Sequence, residues 1–274
     1  MRSYLYQRHA LIVRITHWVN VVAFCVLLMS GLQIFNAHPS LYWGKSSYDG
    51  DAPLLRMTAR TTTDGERVGV TRVFGSELET TGLFGLSRDP GGALAERGFP
   101  AWLTLPGARW LAMGRRWHFF FAWVFVINGL LYLVHSIATR HVARDLLPQR
   151  TEWRTVGRSI IDHLRFRHPA GEAAKRYNVL QKITYLVVVF LLLPLVVLMG
   201  LAMSPSLDSA WPGWVDLVGG RQSARTLHFI AAWALVAFML VHVFEVVISG
   251  VWNNLRSMIT GRYRVTLEER SDAT

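Results

Sequence analysis

Apolar residues gather into four long runs, at approximately 11–35, 117–138, 183–203 and 225–249, separated by polar and charged stretches. Each run reaches the roughly 20 residues an α-helix needs to cross a bilayer. Arg14, Arg225 and Glu245 fall near the run ends, where long side chains reach the membrane interface. Pro194, inside Leu-Leu-Leu-Pro-Leu, predicts a kink in the third helix, tolerated because neighbouring helices re-satisfy the freed carbonyl. The pattern predicts an all-α membrane protein. Its 274 residues would form a single domain, a four-transmembrane-helix bundle with an external insert over 36–116, between helices 1 and 2.

Composition agrees with that class: 51% of residues are hydrophobic, and 11 Trp and 14 Phe are too aromatic for an ordinary soluble domain. A net charge of +11 could point to nucleic acid, but the basic residues sit between apolar runs and form no continuous basic face. They read instead as topology. The connection 139–182 carries ten Lys/Arg against four acids, whereas 204–224 carries only Arg221, so the first is expected in the cytoplasm and the second outside. Both termini are then cytoplasmic, in keeping with Arg256, Arg262, Arg264 and Arg270 near the C-terminus. Arg2, Arg8 and Arg14 before an apolar run imitate a signal peptide, but no small-x-small site follows Gly31, so the segment reads as uncleaved.

The insert also holds ten Lys/Arg, balanced by eight acids, and long loops cross membranes largely regardless of charge. At 81 residues it is too long for a structureless loop and is expected to be a docking or lid element. Thr61-Thr62-Thr63-Asp64-Gly65 followed by Arg67-Val68-Gly69-Val70-Thr71 reads as a turn and a strand. Trp102 to Met113 reads as a short aromatic interfacial helix.

Five of ten histidines, His17, His118, His135, His228 and His242, fall in or at the ends of the apolar runs. Any one of them reads as an interfacial side chain; the set, costly in a membrane, implies function. His228 and His242 are fourteen residues apart on one helix, about 21 Å along its axis and about 40° around it. In the expected topology His118 lies level with His228 on the outer side, and His17 level with His242 on the inner side. Two cross-helix pairs of neutral imidazoles suit low-spin haem iron, which takes two axial nitrogens. With Cys25 as the only cysteine there is no Cys-x-x-Cys-His for covalent attachment. His135 competes for the inner position, but lies about 100° around the helix from His118 and is set aside as a quinone-site or structural residue.

Arg14, Arg115 and Arg225 each precede a histidine by three residues, on the same helix face. They read either as snorkelling helix-end residues or as bidentate partners of haem propionates. Gly31, fourteen residues after His17, would face the haem column where a side chain would obstruct the ring, or would serve helix packing; Gly129 and Gly200 read as packing glycines. Tyr177-Asn178 and Gln181-Lys182 read, from the residues alone, as a polar helix entry with Asn178 as N-cap.

The Thr16-His17-Trp18 entry, the fourth-run histidines fourteen apart, and Asn178-Val179-Leu180-Gln181-Lys182 before the third helix resemble the bacterial di-haem cytochrome b family. That family includes cytochrome b561 and the b-type membrane subunits of nickel-iron hydrogenase, formate dehydrogenase and thiosulfate reductase. The resemblance covers the four helices, roughly half the chain. It implies two haem b groups ligated by His17, His118, His228 and His242, with quinone contacts at Asn178 and Gln181. Leu180 departs from the glycine of formate dehydrogenase subunits. Glu245, one turn beyond His242, is either an interfacial carboxylate or a group exchanging a quinol proton. The resemblance further implies a bacterial inner-membrane protein relaying electrons between the quinone pool and a periplasmic catalytic subunit. The long insert with Tyr42-Trp43-Gly44 and the Arg-Trp-His entry to the second helix are similar to cytochromes that accompany secreted molybdenum-cofactor oxidoreductases.

Two other readings stay open. One is a stand-alone membrane oxidoreductase taking electrons from an external small molecule. The other is a proton or metal transporter using the histidines as relay or ligands, against which the spanning cores hold no Asp or Glu besides Glu245.

Overall fold

A computed structural model describes residues 2–47, 52–165 and 177–267. Arg270 and positions 166–176 of the 139–182 connection lie outside the described residues. Among the described residues, four helices are long and apolar enough to cross a membrane: α1 (Leu11–Phe35), α2 (Leu111–Ala138), α3 (Val179–Ala202) and α4 (Arg221–Ile248). Between 11% and 17% of their most apolar stretches is buried within the chain. Side chains such as Phe120, Trp123, Ile137 and Leu240 stand exposed, as they would on a surface whose solvent is lipid.

The helix α2 opens at Leu111, six residues before the apolar run begins, because Leu-Ala-Met ahead of Arg115 and Arg116 are good helix formers and charge at a helix end does not break it. At Pro194 the chain answers the missing N–H with a wide π-helical turn, Val188–Leu192, immediately upstream of the helical segment Leu193–Ala202.

The chain groups into two compact units, and the division runs through each long helix. The first unit holds residues 1–19, 128–194 and 233–274. In it β1 (Arg2–Gln7) pairs antiparallel with β8 (Arg262–Leu267), in the register Tyr4↔Val265, so the two ends of the chain are joined. Below this ladder a helix α5 (Val251–Thr260) ends at Gly261, whose φ of +83° and crowded surroundings, with Gln7 Nε2 2.5 Å from where a Cβ would stand, exclude a side chain. Trp18 Nε1 donates to Met258 O at 3.1 Å, and Asn128, buried in α2, donates to Thr16 O at 2.8 Å. These polar groups find partners inside the protein, as an apolar setting requires.

The second unit holds residues 20–127 and 195–232, and with them the whole insert. The expectation of an all-α chain is corrected here and at the termini. Runs of alternating and β-branched residues make a four-stranded antiparallel sheet, β2 (Ser40–Leu41), β3 (Leu55–Thr61), β4 (Arg67–Val73) and β5 (Ser76–Glu79), in that spatial order, and a hairpin of β6 (Gly85–Arg88) with β7 (Leu94–Arg97). The turn at Thr61–Gly65 and the strand from Arg67 are the β3–β4 hairpin. The interfacial helix read over 102–113 does not form as one element: Ala101–Leu103 makes a helical turn that Pro106 and Gly107 stop from continuing, and Leu111–Met113 belong to the start of α2.

Leu32 and Phe35 of α1, Leu41, Met57 and Phe99 of the insert, and Phe229 of α4 form one apolar cluster, so the insert is seated on the helices and not tethered loosely. The buried members, Leu32, Phe35, Leu41, Met57 and Phe99, contribute about 1.5–3 kcal/mol each. Polar stitches fix the seating: Thr226 Oγ1 donates to Tyr42 O at 2.6 Å, and Gly44 N donates to Ser223 Oγ at 2.8 Å. Asn36 takes the N–H of Phe99 at 2.7 Å and donates to its carbonyl at 3.0 Å. Arg97, 1% exposed, donates to that same carbonyl at 2.7 Å. Asn36→Ala leaves the Phe99 N–H without that acceptor and is expected to cost about 1–3 kcal/mol, read as a lower unfolding temperature in detergent.

Candidate functional site: two opposed histidine pairs

In the second unit His118 of α2 and His228 of α4 face one another with ring centroids 6.2 Å apart and planes inclined by 66°. The Nδ1 of His118 lies 3.1 Å from the Leu27 carbonyl and 3.2 Å from Ser30 Oγ, while Ser30 itself donates to Val26 O at 2.6 Å. The Nδ1 of His228 lies 2.7 Å from the Val196 carbonyl. A carbonyl oxygen only accepts, so both imidazoles carry their proton on Nδ1 and keep the Nε2 lone pair for another partner.

The first unit has the second pair. His17 of α1 and His242 of α4 have centroids 6.3 Å apart and planes inclined by 59°. Trp18 meets His17 edge-on at 5.3 Å, and Phe238 stacks on His242 at 5.8 Å. The Nδ1 of His17 is buried and has no hydrogen-bond partner among the described residues.

Both spacings suit one metal between the rings. Two imidazoles trans on a metal, each nitrogen about 2.0 Å from it and about 1.1 Å from its own ring centre, hold their centroids roughly 6.2 Å apart. Among the described residues no group of three or more His, Cys, Asp or Glu could hold a bare ion. A donor set of two imidazoles therefore fits a metal that brings its own equatorial ligands, as haem iron does.

Of the other expected site residues, Gly31 lies against His118: a Cβ there would stand 3.3 Å from the ring Cε1. Gly200, read as a packing glycine, holds the same position against His228, also at 3.3 Å. Gly129 meets nothing within 4 Å. Arg14 donates to Ile259 O at 2.5 Å, Arg225 donates to His38 O at 2.5 Å and covers Phe35, and Arg115 lies over Phe119. Asn178 caps α3: its side chain accepts from Leu180 N at 2.8 Å, and Gln181 Oε1 accepts from Asn178 N at 3.2 Å. Ser159 also donates to Asn178 at 2.6 Å. His135 belongs to neither histidine pair. Leu27, Ser30 and Val196 were beyond sequence reasoning, since two of them act through backbone carbonyls.

Half-buried histidines paired at metal-spanning distance on helices of membrane-crossing length define an integral membrane haem protein. The chain belongs to the prokaryotic cytochrome b561 family, whose profile matches residues 8–261, and membership implies b-type haem. It is 28% identical over 261 residues to a putative protein-methionine-sulfoxide reductase subunit, YedZ1, of Azospira oryzae, covering 95% of this chain and all of that one. It is 27% identical over 157 residues to a probable nickel-iron hydrogenase b-type cytochrome subunit of Cupriavidus necator, covering 53% of this chain and 64% of that subunit.

Just before α1, Arg8 lies over the rings of Tyr177 and Tyr263, at 5.7 and 4.7 Å. Burial, reinforced by the Arg8 charge, lowers the His9 imidazole from its ordinary 6.5 to about 4. A depressed histidine stays neutral in the folded chain while the unfolded chain protonates near 6.5, so its contribution is full above that pH and is lost on going down toward 4. His9→Gln is expected to flatten the acid side of a plot of unfolding temperature against pH.

Proposed function

We propose that this chain is a membrane-bound di-haem subunit relaying electrons between the quinone pool and a periplasmic oxidoreductase partner. The observation that carries the reading is the pair of opposed imidazoles present twice, with centroid spacings of 6.2 and 6.3 Å. In this reading His118 and His228 hold an outer haem b, and His17 and His242 an inner one. Bound haem iron supplies one-electron oxidation and reduction at each position. The four histidines hold it by neutral nitrogen, and their apolar surroundings keep bulk water from the site.

Arg14, Arg115 and Arg225 lie close in sequence to the ligands and are assigned to the propionates. Each guanidinium has donors beyond the contact described above, so a carboxylate can be met without breaking it. Asn178 and Gln181 are assigned to the quinone. Their side-chain oxygens serve the helix cap, which leaves the amide N–H groups as the donors a quinone carbonyl needs. The joined termini, with Arg262 and Arg264 beside them, are assigned to the cytoplasmic face of the bacterial inner membrane.

The 36–116 insert is then periplasmic and meets the partner. Trp43, Phe74, Trp102 and Trp110 stand exposed on it, the residue types enriched at protein interfaces. The relative that matches along 95% of this chain is named as a putative reductase subunit, which favours a catalytic reductase as the partner met by the insert, with His17 and His242 on the quinone side and His118 and His228 on the partner side.

Detergent-purified protein is expected to show reducible b-haem absorption bands with two haems per chain. His228→Ala should reduce haem content to about half while the chain stays folded. Absence of the bands, or retention of both haems in that variant, overturns the assignment.

A further inference from the structure

Both outer histidines are held in one way, on two different helices. On α1, the Leu27 carbonyl meets His118 Nδ1 at 3.1 Å, and four residues later Gly31 leaves the ring edge 3.3 Å from its absent Cβ. On α3, the Val196 carbonyl meets His228 Nδ1 at 2.7 Å, and four residues later Gly200 leaves the ring edge at that same 3.3 Å. The spacing has a physical origin. A helical carbonyl has two lone pairs, of which the intrahelical bond uses one. The side chain that covers the turn above that carbonyl belongs to a later residue, because side chains lean toward the helix N-terminus. A glycine four residues on uncovers the second lone pair. The inner His17 differs, since its buried Nδ1 has no partner among the described residues.

We propose that Leu27/Gly31 and Val196/Gly200 are matched positioning elements that fix the tautomer and ring plane of the two outer ligands and give the outer haem an electronic character distinct from the inner one. Donation from Nδ1–H to a carbonyl makes the imidazole a more basic ligand, which favours the oxidised metal and lowers its potential. Gly31 and Gly200 touch the ligands and not the reacting iron. They act through the histidines.

The inference rests on the two-haem reading, and two measurements separate its failure from that of the reading. In wild-type protein, pulsed EPR of the oxidised low-spin signals reads the remote ring nitrogens: two classes are expected, one hydrogen-bonded and one not. Gly31→Ala and Gly200→Ala should each move one of two midpoint potentials upward and change one of two EPR signals, while Gly129→Ala changes neither. A single class of remote nitrogen overturns the proposal, as do two haems whose potentials and signals ignore both substitutions. If a substitution expels the outer haem, the wild-type measurement decides. A wild-type protein with fewer than two haem signals defeats the di-haem reading itself.

Discussion

An imidazole on a membrane helix has two ring nitrogens, and the structure depends on how each is satisfied. One must keep a lone pair for its ligand; the other carries a proton that needs an acceptor where water is scarce. At His118 and His228 the acceptors are the carbonyls of Leu27 and Val196, beside Gly31 and Gly200, where a Cβ would crowd the ring at 3.3 Å. The helix faces that meet in the second unit therefore present small residues and open backbone where the rings approach. Gly114 follows the same logic on α2, where a Cβ would come within 2.9 Å of Gln33.

The insert extends this unit. Its four-stranded sheet shares its apolar cluster with the helices. It borrows Leu32 and Phe35 from α1 and Phe229 from α4 for its apolar cluster, and its hydrogen bonds to Ser223 and Thr226 tie it to the start of α4, within two to five residues of His228. A surface rich in exposed tryptophan is thus tied to the helix that carries His228.

The first unit is organised differently. There the chain ends pair as β1 and β8, α5 closes on Gly261, and Trp18 and Arg14, flanking His17, donate to carbonyls of α5. His17 is located by its helix and by what packs on its neighbours, with its own Nδ1 left without an acceptor among the described residues.

Much was legible in the residues because the physics is local. Twenty apolar residues mean a spanning helix whatever surrounds them; helical phase aligned His228 with His242 and set His135 aside, and the expected topology put His17 level with His242 and His118 level with His228. The strands of the insert were only partly legible, since short mixed runs owe their form to the partners they pair with. The union of the termini was not legible at all, because Arg2–Gln7 and Arg262–Leu267 are too far apart in sequence to signal a ladder. Nor was the role of Gly200, which resembles any packing glycine until Val196 and His228 are seen beside it. The sequence by itself determined the membrane class and the histidine pairing, which follow from length and helical periodicity. Only the tertiary structure decided how each histidine is held, because the groups that hold them are backbone carbonyls, present at every residue and given meaning only by what packs against them.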